Sequence, residues 1–103
     1  MPIIASRNLV AMDVGRDQFP VRLAIGLPYR CAENDWACAI ELDGLYKHLW
    51  DQHGVDSFQA LMMAQHLAKS LLTEFIKEGG QLFDVPAGVP LNVEKLFLTG
   101  EAT

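Results

Sequence analysis

Gly54-Val-Asp-Ser-Phe-Gln-Ala-Leu-Met-Met-Ala-Gln-His-Leu-Ala-Lys-Ser-Leu-Leu-Thr-Glu-Phe-Ile-Lys-Glu-Gly-Gly80 is the stretch around which the chain is organised. It has a start signal, a wide apolar face and a stop signal, and it predicts one long helix over about residues 56–78. Asp56 is a good N-cap, and Gln59 three residues later completes a capping box that satisfies otherwise orphaned amide donors. Val55 stands where a hydrophobic staple would begin, with the small Ala60 as its partner. At about 100° per residue, Ala60, Leu61, Ala64, Leu67, Ala68, Leu71, Leu72 and Phe75 fall within an arc of roughly 140°. The ridge Ala60, Ala64, Ala68 predicts a helix axis close to a sheet, with Leu67, Leu71 and Phe75 filling the space around it. Phe58, Met62 and Ile76 fringe one edge of this arc and Met63 the other. Gly79-Gly80 stops the helix, because glycine takes the left-handed conformation cheaply.

Strands precede it. Ile3 to Asp13 is apolar without internal Gly or Pro, and predicts a first strand interrupted near Ser6–Asn8. Val14 to Gln18 predicts a hairpin loop. In Phe19 to Leu27, Val21, Leu23, Ile25 and Leu27 alternate with Arg22, Ala24 and Gly26, the period-two pattern of a strand with one buried face. Tyr29 to Asn34 reads as a loop, and Asp35 to Leu42 as a third strand with Trp36, Cys38, Ile40 and Leu42 on one face. The other faces of these two strands carry Ala24, Gly26, Ala37 and Ala39, small where a solvated face normally takes longer polar residues. They predict a second packing surface or the close approach of another backbone. Leu45 to His53 links sheet to helix across one end, with Leu45, Leu49 and Trp50 tucked in. Gln81 to Val85 predicts a short fourth strand. Asn92 to Leu98 reads either as a short helix capped by Asn92 or as an extended piece.

The 103 residues fit one domain, 1–103, large enough for a single core. The expected fold is α+β: an antiparallel sheet of three to four strands with the long helix packed across one face. The formal net charge is −5. That argues against nucleic acid, which calls for a basic stripe, and suits a basic protein partner. Cys31 and Cys38 match neither a zinc ribbon nor a C-x-x-C pair. On one extended strand they would stand more than about 20 Å apart, too far for a disulfide. Two reduced thiols, no basic leader and no apolar run near the ~20 residues of a membrane span give the expectation of a soluble cytoplasmic protein.

The candidate chemistry is sparse. His48, Asp51 and His53 lie close in sequence, yet their spacing matches no metal-binding motif, and local hydrogen bonding explains them as well. Cys38 reads as a small buried hydrophobe, and Cys31 as an ordinary loop cysteine with no histidine near it in sequence to act as a base. Asp56-Ser57 is explained by capping, and no phosphate loop or nucleophile elbow occurs. No catalytic residue, cofactor or metal is expected. The residues retained for an interaction surface or pocket are Trp50, His48, His53, Phe58 and Met62. Methionine is adaptable and common at binding surfaces, although on a helix fringe it is also ordinary core.

Asp35-Trp-Ala-Cys-Ala-Ile-Glu-Leu-Asp-Gly-Leu45, followed by Gly54-Val-Asp-Ser-Phe-Gln-Ala-Leu61, carries the elements W-x-C…G and G-x-D-S-x-Q-A-L. Together they resemble a family of short bacterial proteins classed as a domain of unknown function, over most of residues 3–85. The resemblance implies bacterial origin and an α+β domain, and it supplies no activity or site. The functional expectation is therefore a non-enzymatic protein-interaction module, immunity- or antitoxin-like in one concrete form, with a protein partner or a homodimer. The alternative is a small-ligand-binding protein or enzyme with a pocket between Leu45–His53 and the helix start, lined by Trp50, His48 and His53. A structural subunit of a larger assembly is the third.

Overall fold

The computed structural model describes residues 2–85 and 88–97. Strand β1 (Ile3–Met12) turns at Asp13–Asp17 into β2 (Gln18–Gly26), and the two pair antiparallel along almost their whole length. Arg16 takes a left-handed conformation (φ 68°) at the tip of this turn. No interruption occurs near Ser6–Asn8; the irregularity lies nearer the start, between Ile3 and Ala5. With β5 (Ile40–Asp43) beside β2 and β7 (Gln81–Asp84) beside β1, the larger sheet has the order β5-β2-β1-β7.

A second, three-stranded sheet has the order β3-β4-β6, from β3 (Tyr29–Ala32), β4 (Asp35–Cys38) and β6 (Gln52–Gly54). Two sequence expectations change here. Tyr29 to Asn34 is not a loop but the first arm of a hairpin, turned at Glu33-Asn34 with Asn34 at φ 58°. Asparagine is among the few non-glycine residues that enter the left-handed region readily. The expected strand Asp35–Leu42 divides at Ala39, so that β4 joins the small sheet and β5 the large one. Its continuous alternation is preserved, because Trp36, Cys38, Ile40 and Leu42 all face the same core across the junction.

Helix α1 (Ser57–Lys77) covers this junction, packed on β4 and β6 and reaching β5, β2 and β7. Ala60, Ala64, Ala68 and Leu72 are fully buried along its contact stripe, with Leu61, Leu67, Leu71 and Phe75 packed around them. The alanine ridge places the axis close to the strands, as the sequence requires. Opposite it lie Leu9, Val21, Leu23, Cys38, Ile40 and Leu42. Phe75 meets Phe19 edge-on at 6.4 Å and ties the end of the helix to β2.

Both ends of α1 are chemically defined. The Asp56 carboxylate accepts from the Gln59 N–H at 2.8 Å. The return bond is shifted by one residue, since Gln59 Oε1 accepts from the Val55 N–H at 2.8 Å rather than from Asp56. Val55 stays exposed, so no hydrophobic staple forms. At the other end Gly80 N–H donates to Phe75 C=O and Gly79 N–H to Ile76 C=O, both at 3.0 Å, with Gly79 at φ 101°. This is a Schellman closure, which satisfies the last carbonyls through a left-handed glycine. Beyond β7, Asn92 caps the short helix α2 (Val93–Leu96), whose Val93 is buried in the common core. Leu98 lies outside the described residues.

The small residues Ala24, Gly26, Ala37 and Ala39 are all buried. They mark the corner where the chain passes from one sheet to the other. Gly26 N–H donates to Ala39 C=O at 2.9 Å, Leu27 N–H donates to Pro2 C=O, and the Cys38 thiol donates to Gly26 C=O at 3.3 Å. At Gly26 and Ala39, two of these small residues, the backbones approach closely enough to hydrogen-bond.

Candidate functional site

The three-stranded sheet presents one face to α1 and the other outward. Register assigns the faces: Trp36 lies opposite Arg30 and Gly54, while Ala37 lies opposite Tyr29 and His53. Trp36 and Cys38 belong to the core, so the alternation puts Tyr29, Asp35, Ala37 and His53 on the outer side. Gly54 touches the helix start so closely that a Cβ there would lie 2.5 Å from the Ala60 nitrogen. This contact fixes β6, and with it His53, relative to α1.

Cys31, two residues beyond Tyr29, shares this outer face by alternation, and a bulge lies at its position. Arg30 pairs with Trp36 and Ala32 with Asp35, leaving Cys31 as an extra residue without a partner. Bulges of this kind bend the strand locally while the residues on either side keep their pairing. The result is a cluster of Cys31, Asp35 and His53, whose donor atoms all lie within 4.8 Å of one another. His53 Nδ1 stands 2.8 Å from Asp35 Oδ1, and both side chains are about half exposed. Beside them the Tyr29 hydroxyl donates to the Asp51 carboxylate.

The electrostatics are anionic. The hydrogen bond to Asp51 pushes the Tyr29 hydroxyl up to about 12, with further contributions from desolvation and from the charges of Asp51, Cys31 and Asp35. Partial desolvation, then the charges of Asp35 and Asp51, raise the Cys31 thiol above its ordinary value. A thiol held protonated is a poor nucleophile. The surroundings of Cys31 thus work against thiolate formation, although a histidine and a carboxylate stand within 4.8 Å of it. Cys38 is raised mainly by burial and is inert.

The residues singled out from sequence separate into distinct places. His53 joins the cluster just described. His48 and Trp50 are exposed and meet edge-on at 5.2 Å. Trp50 is not tucked in; it is 79% exposed. Phe58 and Met62 lie one turn apart on the exposed edge of α1, at 73% and 49% exposure. An open cleft of about 300 Å³ does border the Leu45–His53 segment, but its far wall is β5 rather than the helix start. Glu41, Asp43, Tyr46, Lys47, His48 and Asp51 are among its lining residues, and Trp50 and His53 are not.

Local reading of the sequence does not reveal Cys31 as part of a cluster. His53 is distant in sequence and arrives beside it only through the β3-β4-β6 pairing. The available signal was the turn pair Glu33-Asn34, flanked by short segments able to form a hairpin.

A helix laid across the junction of two antiparallel sheets defines a small α+β fold. Within that class the chain belongs to a family described as a domain of unknown function, DUF6968, whose pattern spans residues 5–87. No curated protein and no solved structure matches it. Among the described residues no helix is long and apolar enough to cross a membrane.

Proposed function

We propose that the protein is a non-enzymatic interaction module of the bacterial cytoplasm that binds another protein, or a second copy of itself, through the exposed apolar edge at the start of α1. The observation that carries this reading is the exposure of Trp50, Val55, Phe58 and Met62 within one thirteen-residue β6–α1 segment. Contiguous exposed apolar patches on soluble domains mark interaction surfaces, and aromatic residues and methionine are enriched there. Aromatic anchors such as Trp50 and Phe58 are the residue types that dominate binding energy at interfaces. The formal net charge of −5 suits a basic partner, which makes an immunity- or antitoxin-like pairing the concrete form.

The test is co-expression with the product of the neighbouring gene, with light scattering of the isolated chain in parallel. The expected result is a stable complex or dimer that the double substitution Phe58→Ser, Met62→Ser dissociates without loss of helical signal. A strict monomer that fails to retain the neighbour's product would refute the reading. The cleft between β5 and the Tyr46–Asp51 segment favours a second reading, binding of a small polar ligand there, with His48 as one contact. Chemical-shift changes confined to that cleft on titration with candidate ligands would support it.

A further inference from the structure

We propose that Cys31, Asp35 and His53 form a three-ligand site for a borderline-soft divalent transition-metal ion of the zinc type, on the outer face of the small sheet. Thiolate, imidazole and carboxylate are the donor types such ions take, and their mixture excludes the hard, all-oxygen preference of calcium and magnesium. Each donor comes from a different position of one hydrogen-bonded sheet: the bulge of β3, the first residue of β4 and the centre of β6.

The distances fit with small side-chain movements. Tetrahedral ligands at about 2.0–2.3 Å from zinc stand roughly 3.3–3.7 Å from one another. The Asp35–His53 pair at 2.8 Å has only to open slightly, and Cys31 Sγ, within 4.8 Å of both, has to close by no more than about 1.5 Å. All three side chains reach solvent, so an ion can enter without unfolding the sheet. On binding, the metal takes the place of the proton shared by His53 Nδ1 and Asp35, and the imidazole, bound through Nδ1, carries its one proton on Nε2 after exchange through solvent. The Cys31 S–H bond breaks as the S–metal bond forms, and that proton passes to solvent. Three protein ligands leave the fourth tetrahedral position open to water or to a donor from another molecule.

A histidine–carboxylate pair on a surface is common and contributes little by itself. It does not account for a thiol within 4.8 Å of the pair, nor for the further carboxylate of Asp51, which is held nearby by the Tyr29 hydroxyl. A divalent cation offsets that charge.

The test uses the full chain, reduced and stripped with chelator, titrated with Co²⁺ and then with Zn²⁺ in competition. The expected result is one equivalent of tetrahedral Co²⁺ with a thiolate charge-transfer band, displaced by Zn²⁺. Cys31→Ser should abolish the band and His53→Gln should weaken Zn²⁺ binding by at least about tenfold, since even outer-shell changes cost about 10–100-fold. The far-ultraviolet spectra of both variants should match the parent, because both side chains are exposed. A Co²⁺ spectrum without thiolate charge transfer overturns the assignment. So does a band that survives Cys31→Ser, or Zn²⁺ affinity that is unchanged in both variants.

Discussion

Replacing Gly54 by alanine is the sharpest single test of how the small sheet meets the helix. The added Cβ would lie 2.5 Å from the Ala60 nitrogen, 2.7 Å from the Gln59 carbonyl carbon and 2.8 Å from Gln59 Cβ. The first two are backbone atoms of the first helical turn, so no change of rotamer relieves the overlap. Either β6 retreats from α1, which also disturbs its ladder with β4, or the capped turn shifts. Overpacking of this kind costs about 1–3 kcal/mol, and backbone contacts at these distances place Gly54→Ala near the upper end. Loss of glycine's freedom in the unfolded chain returns up to about 1 kcal/mol. The net expectation is a destabilisation of about 2 kcal/mol, which for a chain of this length lowers the melting temperature by roughly 8–16 °C. Urea unfolding followed by circular dichroism and by tryptophan fluorescence measures it. Gly15→Ala is the matched control: its Cβ meets only side-chain carboxylate oxygens, of Asp13 at 3.3 Å and Asp17 at 4.0 Å, and should change stability little. A neutral or stabilising Gly54→Ala would refute the packing of β6 on the helix start.

Three further outcomes are expected. Asp56→Ala removes the acceptor for the Gln59 N–H and should cost about 1 kcal/mol in urea unfolding, with the helix fraying from its N-terminus in hydrogen exchange. Leu72→Ala empties a fully buried position in the centre of the core and should cost about 2–5 kcal/mol, enough to unfold much of the population at elevated temperature. The third concerns pH. The Cys38 thiol is raised by burial and donates to Gly26 C=O, so the folded state holds its proton more tightly than the unfolded state. Its contribution is therefore complete below the ordinary thiol range and is lost as pH rises through the raised value. Stability should decline on that alkaline side, by less in Cys38→Ala.

What the sequence makes legible is what neighbouring residues decide. The cap at Asp56, the alanine ridge and the glycine stop are encoded within a few residues of where they act, and α1 forms where they place it. The first hairpin is legible for the same reason. The strand from Asp35 to Leu42 is different. Its alternation is identical whether it serves one sheet or two, and the division at Ala39 follows from partners remote in sequence. The same applies to the outer face of the small sheet. Cys31 looks like a loop residue until β3 pairs with β4, and His53 looks like a linker residue until β6 adds to the other side. What stands beside the thiol is then set by the pairing of three strands, and nothing in the neighbouring residue types specifies it. The exposed edge of α1 was visible as a fringe in the helical arc. The exposure of Trp50 was not, because tryptophan in a sheet-to-helix connection is as readily buried as presented.

The most direct test of the assembled outer face is a crystal of the full chain grown with Zn²⁺, examined by anomalous scattering at the zinc edge. The account predicts one strong peak bonded to Cys31 Sγ, His53 and Asp35, with β3, β4 and β6 in the stated register. A map in which these three side chains point apart, or in which zinc sits only on other residues, would contradict it.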